Sequence, residues 1–183
     1  NVELSKDKKK KSEREYISRS FKKSLLILKK NKDVALINGP IEKKSFLEKK
    51  YLGLTEYLAK KTNSKDPVML IYNNTLSVSP LSTHIPINKV SKFVKKTIII
   101  KNVIKINNFY KSKIGKKPKI AVLGLNPHCE SINKISEEKN QIMPAVKYLF
   151  KNKINISGPM AADTFFLDKN IRKYDVVIGM YHD

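Results

Sequence analysis

The chain has 183 residues, and 38 lysines and arginines against 16 aspartates and glutamates give it a formal net charge of +22. This length allows one domain with a hydrophobic core, or parts of two domains. Mean hydropathy is -0.41 and no apolar run reaches the ~20 residues of a membrane span, so we expect no membrane association. A single cysteine, Cys129, excludes an internal disulfide and predicts a cytoplasmic location.

The positive charge first suggests a nucleic-acid partner, but the type of basic residue argues against one. Only Arg14, Arg19 and Arg172 are arginines, and the lysines are scattered along the whole chain. Proteins that read nucleic acids favour arginine, because its guanidinium forms paired hydrogen bonds with phosphate and guanine. We therefore interpret the lysines as a solvated surface and expect no nucleic-acid partner. A lysine-rich nucleic-acid-binding module stays the alternative from a different functional class.

The apolar pattern predicts alternating helices and strands. Spacings of three and four predict helices, and short apolar runs bounded by turn residues predict strands. In chain order, the helices are predicted over 16–30, 53–61, 87–111 (one or two helices) and 137–150. The strands are predicted over 34–37, 68–72, 76–78, 119–123 and 175–180. Because strands and helices alternate, we predict an α/β layered fold.

All three histidines of the chain follow predicted strands. His128 and His182 come just past the last two strands, and His84 follows the pair of strands before them. In open α/β sheets, ligands bind outside the carboxyl ends of the strands. Three imidazoles placed there can converge on one divalent metal ion and leave positions open for water or substrate. From position alone, the alternative that each histidine is an ordinary loop residue stays open.

Strings around all three histidines carry a family resemblance. In chain order, they lie at residues 38–41 with Lys43, 53–59, 82–86, 120–128, 137–138 with 142–145, 158–159 with 162–164 and Phe166, and 174–175 with 180–183. The longest and most specific are Leu125-Asn126-Pro127-His128 and Met180-Tyr181-His182-Asp183. From about residue 33 to its last residue, the chain thereby resembles the 4-hydroxythreonine-4-phosphate dehydrogenases of pyridoxal phosphate synthesis.

The resemblance implies a fold of the isocitrate and isopropylmalate dehydrogenase type, with two α/β domains around a cleft. Residues 1–50 would then belong to the first α/β domain. Residues 51–183 would form the metal- and substrate-binding α/β domain, truncated at its C-terminus. The resemblance also implies a homodimer with the active site at the subunit interface. Because the chain has no initiator methionine and stops directly after a predicted strand, we expect it to be an internal fragment of a longer protein.

The resemblance further assigns roles to particular residues. The family's three metal-binding histidines fall on His84, His128 and His182. Its substrate-contacting threonine falls on Thr55. Asp163 matches the aspartate of the family's glycine-proline-x-x-alanine-aspartate string, and we expect it near the site as a candidate catalytic residue.

The implied activity is metal-dependent, NAD(P)-linked oxidative decarboxylation of 4-phosphooxy-L-threonine to 3-amino-2-oxopropyl phosphate, in pyridoxine 5'-phosphate biosynthesis. The cofactors would be NAD or NADP and a divalent zinc, cobalt or magnesium ion, and imidazole ligands favour zinc or cobalt. One departure keeps alternatives open: the family has histidine where this chain has Leu54. Leucine cannot donate a hydrogen bond to the substrate. A dehydrogenase of the same superfamily that acts on another phosphorylated hydroxy acid is therefore the nearest alternative, and an inactive homologue is a third.

Overall fold

A computed structural model describes residues 2–31, 34–48, 50–51, 53–129 and 136–182. They belong to two compact units, Asn1–Pro67 and Val68–Asp183. The helices are α1 (Val2–Lys30), α2 (Lys43–Leu47), α3 (Leu54–Lys61), α4 (Val90–Phe93), α5 (Lys96–Phe109), α6 (Met143–Lys151), α7 (Ala162–Phe165) and α8 (Asp168–Ile171). The strands are β1 (Ser77–Pro80), β2 (Ile120–Leu123), β3 (Ile156–Met160) and β4 (Val176–Gly179). Short 3-10 or π turns lie at Ile87–Lys89, Tyr110–Ile114, Pro127–Cys129 and Glu138–Ile142.

The first unit is helical and has a small aromatic core. The long helix α1 buries Phe21 against Leu47 of α2 and Tyr57 of α3. The rings of Phe21 and Tyr57 lie 5.5 Å apart, edge to face. Such a pair contributes about 0.5–1.5 kcal/mol beyond the area that it buries. Because α3 packs on this cluster, the predicted domain boundary between residues 50 and 51 falls inside the first unit, which ends at Pro67.

Two of the predicted strands are wrong. Residues 34–42 have no regular secondary structure, and Ile37 is 92% exposed. Among the described residues, nothing pairs with this run as a strand would. The run at 68–72 contributes only one antiparallel bridge, in which Ile71 and Val78 exchange backbone hydrogen bonds of 2.8 and 2.9 Å. The chain turns between Ile71 and Val78, and in this turn Asn73 Oδ1 accepts a hydrogen bond of 2.8 Å from the backbone N of Thr75.

The second unit is built on a parallel sheet of four strands in the order β1-β4-β2-β3. The two central strands, β2 and β4, are apolar and almost entirely buried, as parallel strands covered on their faces usually are. Helices α5 and α6 cover one face, where Ile99, Val103 and Leu149 are fully buried. Phe165 of α7 packs on the opposite face. The predicted α/β fold is thus confirmed.

The edge strand β3 is an element that the sequence pattern does not predict. It contains Gly158 and Pro159, residues that ordinarily mark turns. An edge strand tolerates proline, which has no N–H to donate. Gly158 has a φ of +143°, and a Cβ added there would collide with the backbone oxygen of Val122 in β2. Glycine is therefore required for β3 to approach β2 this closely.

Membrane-spanning segments are a separate question. None of the helices in the described ranges is both long enough and apolar enough to cross a bilayer.

Candidate active site at the carboxyl edge of the sheet

The three strands that precede the histidines are neighbours in the sheet. β1, β4 and β2 lie side by side and run parallel. His84 follows β1, His182 follows β4 and His128 follows β2. Because parallel neighbours end at the same edge, the segments that carry the three histidines all begin at this edge, which we call the carboxyl edge. The chain order alone does not determine this adjacency, since β4 inserts between β1 and β2.

A buried serine joins two of these segments. Ser82, only 2% exposed, donates a hydrogen bond of 2.9 Å from its Oγ to the backbone oxygen of Met180. Ser82 lies two residues before His84, and Met180 lies two residues before His182. The hydrogen bond therefore joins the start of the segment that carries His84 to the start of the segment that carries His182. Hydropathy did not identify Ser82, because its burial depends on the pairing of β1 with β4.

His128 contacts the carboxylate that the sequence analysis placed near the site. Its Nδ1 lies 2.8 Å from Oδ2 of Asp163 in α7. The two side chains are 71% and 46% exposed, so both can be reached from solvent. A carboxylate that accepts a hydrogen bond from one ring nitrogen orients the imidazole and leaves the other nitrogen to bind a metal ion. The arrangement of His128 therefore fits a metal ligand.

The backbone around His128 turns sharply. His128 and Cys129 both have left-handed conformations, with φ of 56° and 60°. Non-glycine residues adopt this region infrequently, and it persists where the surrounding structure holds it. The loop folds back on its own start, because a Cβ added to Gly124 would lie 2.5 Å from Sγ of Cys129. Burial raises the pKa of the Cys129 thiol, which keeps it protonated at neutral pH.

A cavity of about 300 Å³ lies at the carboxyl edge. Its lining includes His182, Gly124 at the start of the His128 loop, and Ala162, which precedes Asp163. Much of the remaining lining is apolar. The volume of the cavity is at the lower end of the range for small-ligand sites, which is about 300–1,000 Å³. A larger cavity of about 770 Å³ lies between α1 and α3, but no predicted site residue lines it.

The three histidines as one ligand set stay a prediction. Within the described ranges, the side chains of His, Cys, Asp and Glu form no group of three that could hold a metal ion. The resemblance implies a site built from two subunits, and the structure contains one chain. The donors themselves suit an ion of intermediate softness, because imidazole nitrogen binds zinc and cobalt well.

The predicted substrate residue lies in the first unit. Thr55 is the second residue of α3, and its side chain is exposed. The residue before it, Leu54, packs against the Phe21 and Tyr57 cluster. Leu54 therefore contributes to the core of the first unit. The histidine that the family has at this position would place a polar ring there instead.

Comparison with known proteins identifies the family. The sequence model for the family described as "Pyridoxal phosphate biosynthetic protein PdxA" matches residues 1–183, so the similarity also includes α1. A 4-hydroxythreonine-4-phosphate dehydrogenase from Sulfurihydrogenibium sp. is 41% identical over 161 residues, which are 86% of this chain and 49% of the relative. One from Pseudoalteromonas translucida is 36% identical over 154 residues, 81% of this chain and 46% of the relative.

A solved structure gives the same result. The crystal structure of 4-hydroxythreonine-4-phosphate dehydrogenase from Klebsiella pneumoniae matches with a TM-score of 0.69 and 30% identity, over 79% of this chain and 46% of that one. The chain thus spans about half the length of the relatives it matches. By sequence and by fold, the chain belongs to the PdxA family of pyridoxal phosphate biosynthetic proteins.

Proposed function

We propose that the protein is an oxidoreductase of vitamin B6 synthesis that converts 4-phosphooxy-L-threonine and NAD(P)+ into 3-amino-2-oxopropyl phosphate, CO2 and NAD(P)H. The observation that carries the proposal is the contact between His128 and Asp163 at the carboxyl edge. An exposed imidazole beside a carboxylate, with a cavity nearby that is lined by His182 and by the residue before Asp163, is the arrangement expected of a metal-binding dehydrogenase site. Membership of the PdxA family supports this choice of substrate and reaction.

We assign His84, His128 and His182 as ligands of a divalent zinc, cobalt or magnesium ion. When bound, such an ion polarises the substrate's hydroxyl and carbonyl oxygens and so favours loss of a proton and of CO2. Asp163 holds the His128 ring in a fixed orientation, with Nδ1–H directed at the carboxylate. Neutral imidazoles leave the full charge of the ion acting on the substrate, which three carboxylates would not do.

Further parts of the proposal concern the surroundings of the site. Thr55 would donate its hydroxyl hydrogen to the substrate, since its side chain is exposed. The apolar walls of the cavity, among them Leu123 and Phe166, would exclude water near the reacting atoms. We also propose a two-domain arrangement of the isocitrate dehydrogenase type, a homodimer with the site at the subunit interface, and a cytoplasmic location.

The experiment follows the absorbance of reduced nicotinamide in the intact protein with 4-phosphooxy-L-threonine and either NAD+ or NADP+. We expect turnover with release of CO2, loss of turnover after treatment with a chelator, and recovery with zinc or cobalt. Turnover that survives complete removal of metal would disprove the metal dependence. No turnover with either cofactor, in protein shown to contain metal, would disprove the activity.

Leu54 favours a second candidate, a dehydrogenase for another phosphorylated hydroxy acid. The variant Leu54→His restores the family's ring, and the matched control Leu54→Gln is polar without an imidazole. If 4-phosphooxy-L-threonine is the substrate, Leu54→His should lower its KM while Leu54→Gln should not. A KM unchanged in Leu54→His, together with faster turnover of another member of a panel of phosphorylated hydroxy acids, would favour the second candidate.

A further inference from the structure

Glu138 is a carboxylate buried to 1% exposure in the turn that precedes α6. Its Oε1 accepts hydrogen bonds of 2.8 Å from the backbone N of Leu125 and from the backbone N of Asn126. Its Oε2 accepts a hydrogen bond of 2.8 Å from Nδ2 of Asn126. A buried carboxylate costs several kcal/mol unless such donors satisfy it. All three of these donors belong to the loop that carries His128.

The neighbouring carboxylate extends this network to a second histidine segment. Oε2 of Glu137 accepts a hydrogen bond of 3.1 Å from Nδ2 of Asn126. Its Oε1 accepts a short hydrogen bond from Oγ of Ser91 in α4. Helix α4 follows the His84 segment along the chain, after the turn at Ile87–Lys89. The two carboxylates therefore join the His128 loop to the helix that follows His84.

Both carboxylates are acceptors in their ionised form. The hydrogen bond from Ser91 is the main reason why the pKa of Glu137 lies below its usual value. Burial is the largest influence on the pKa of Glu138 and raises it, but the hydrogen bonds from Asn126, Leu125 and the backbone of Glu138 itself together lower it by more, and the net shift is downward. Two charged acceptors on one amide hold Asn126 more firmly than a neutral pair would.

We propose that Glu137 and Glu138 are positioning residues that, through Asn126 and Ser91, hold the His128 loop and the α4 segment in a fixed arrangement and so preset two ligands of the metal site. The inference rests on the proposed function. The left-handed backbone at His128 and Cys129 supports it, because such a conformation persists only where neighbouring contacts hold it. The backbone N–H groups of Leu125 and Asn126, which donate to Glu138, lie three and two residues before His128.

The test compares Glu138→Gln with a matched control, Asp175→Asn, in the intact protein. Asp175 is also a carboxylate that accepts from a backbone N, that of Lys119 at 2.8 Å, but it lies at the start of β4, away from the histidines. Both variants remove one charge and keep the shape of the side chain. Three quantities are measured: cobalt affinity and its visible spectrum, hydrogen exchange of backbone amides in the metal-free protein, and the ring resonances of the histidines.

We expect Glu138→Gln to weaken cobalt binding about tenfold. This is the lower end of the loss of metal affinity that usually follows when a residue that positions a ligand is replaced. Exchange at Leu125 and Asn126 should become faster, and the ring resonances of His84 and His128 should shift even without metal. Asp175→Asn should leave cobalt affinity, exchange at Leu125 and Asn126, and the histidine ring resonances unchanged. If Glu138→Gln does not fold, Ser91→Ala provides the same test from the exposed end of the network, with an expected several-fold loss of cobalt affinity.

The proposal is wrong if Glu138→Gln lowers thermal stability but leaves cobalt affinity, exchange and ring resonances as they are in the wild type. It is also wrong if Asp175→Asn changes them equally. A wild-type protein that binds no cobalt would overturn the proposed function instead. In that case exchange and ring resonances of the metal-free variants still decide whether the two carboxylates position the histidine segments.

Discussion

The two edges of the sheet use their polar groups differently. At the edge where the strands begin, Asp175 accepts a hydrogen bond of 2.8 Å from the backbone N of Lys119 and one of 2.6 Å from Nζ of Lys116. The hydroxyls of Tyr110 and Ser77 lie 2.8 Å apart and are buried. We call this the amino edge. Each of these contacts joins one element of the fold to another.

The carboxyl edge has the opposite character. His128 and Asp163 are largely exposed, His182 lines a cavity, and the backbone at His128 is left-handed. At this edge Glu137 and Glu138 accept hydrogen bonds from the loop that carries His128. The two edges of one sheet therefore differ: contacts at the amino edge join elements of the fold, and the carboxyl edge carries exposed side chains. Substitutions at the two edges should therefore affect different measurements.

The largest expected effect is at the carboxyl edge. His128→Ala removes a proposed ligand, so metal affinity and turnover should each fall by more than about a hundredfold. Replacing a residue that only hydrogen-bonds a ligand usually lowers metal affinity by about 10–100-fold, and losing the ligand itself should cost more. Because the side chain is 71% exposed, the midpoint of thermal unfolding should stay close to that of the wild type. Metal analysis, turnover and thermal unfolding of the same preparation check this. Unchanged metal content would remove His128 from the site.

Asp163→Asn tests whether the carboxylate orients the His128 ring. The amide keeps the size of the side chain but loses the charge that holds Nδ1–H, so metal affinity should fall about 10–100-fold. Both partners are exposed, and stability should change by less than about 0.5 kcal/mol. Titration with cobalt measures the first quantity and denaturant unfolding the second. A large loss of stability with normal cobalt affinity would make Asp163 a structural residue.

Asp175→Ala tests the amino edge. It removes the hydrogen bonds that this charged carboxylate accepts from the backbone N of Lys119 and from Nζ of Lys116, so the free energy of unfolding should fall by about 1–3 kcal/mol. Metal affinity and KM should not change, because Asp175 lies before β4 and the histidines follow the strands. Denaturant unfolding and cobalt titration check both parts. Weaker cobalt binding in a folded variant would contradict the separation of the two edges.

Tyr110→Phe should have the smallest effect. It removes the buried hydrogen bond with Ser77, worth about 0.5–1.5 kcal/mol, and a longer one of 3.4 Å to the backbone oxygen of Asp175. Ser77 keeps its bond of 3.2 Å to the backbone oxygen of Asn73, so its hydroxyl is not left unpaired. Denaturant unfolding measures the difference. The control is Phe150→Leu in α6, where the side chain is 67% exposed, and it should change stability by less than about 0.5 kcal/mol.

Sequence patterns predicted the elements that depend on local periodicity. The amphipathic spacing of α1 and α3 and the continuous apolar runs of β2 and β4 are properties of the segments themselves, and the structure confirms all four. The run at 34–37 has the same apolar character as β2 but finds no partner strand among the described residues. Conversely β3, with glycine and proline at its centre, forms because β2 lies beside it.

The sequence by itself determined that three histidines follow apolar strands and that the strings around them belong to one family. Only the tertiary structure decided that β4 lies between β1 and β2, which puts the starts of all three histidine segments at one edge. It also decided that Asp163 meets His128 and that Glu138 is buried against Asn126. The physical reason is distance along the chain: contacts between residues 12 to about 100 positions apart depend on strand pairing and packing, which local periodicity does not encode.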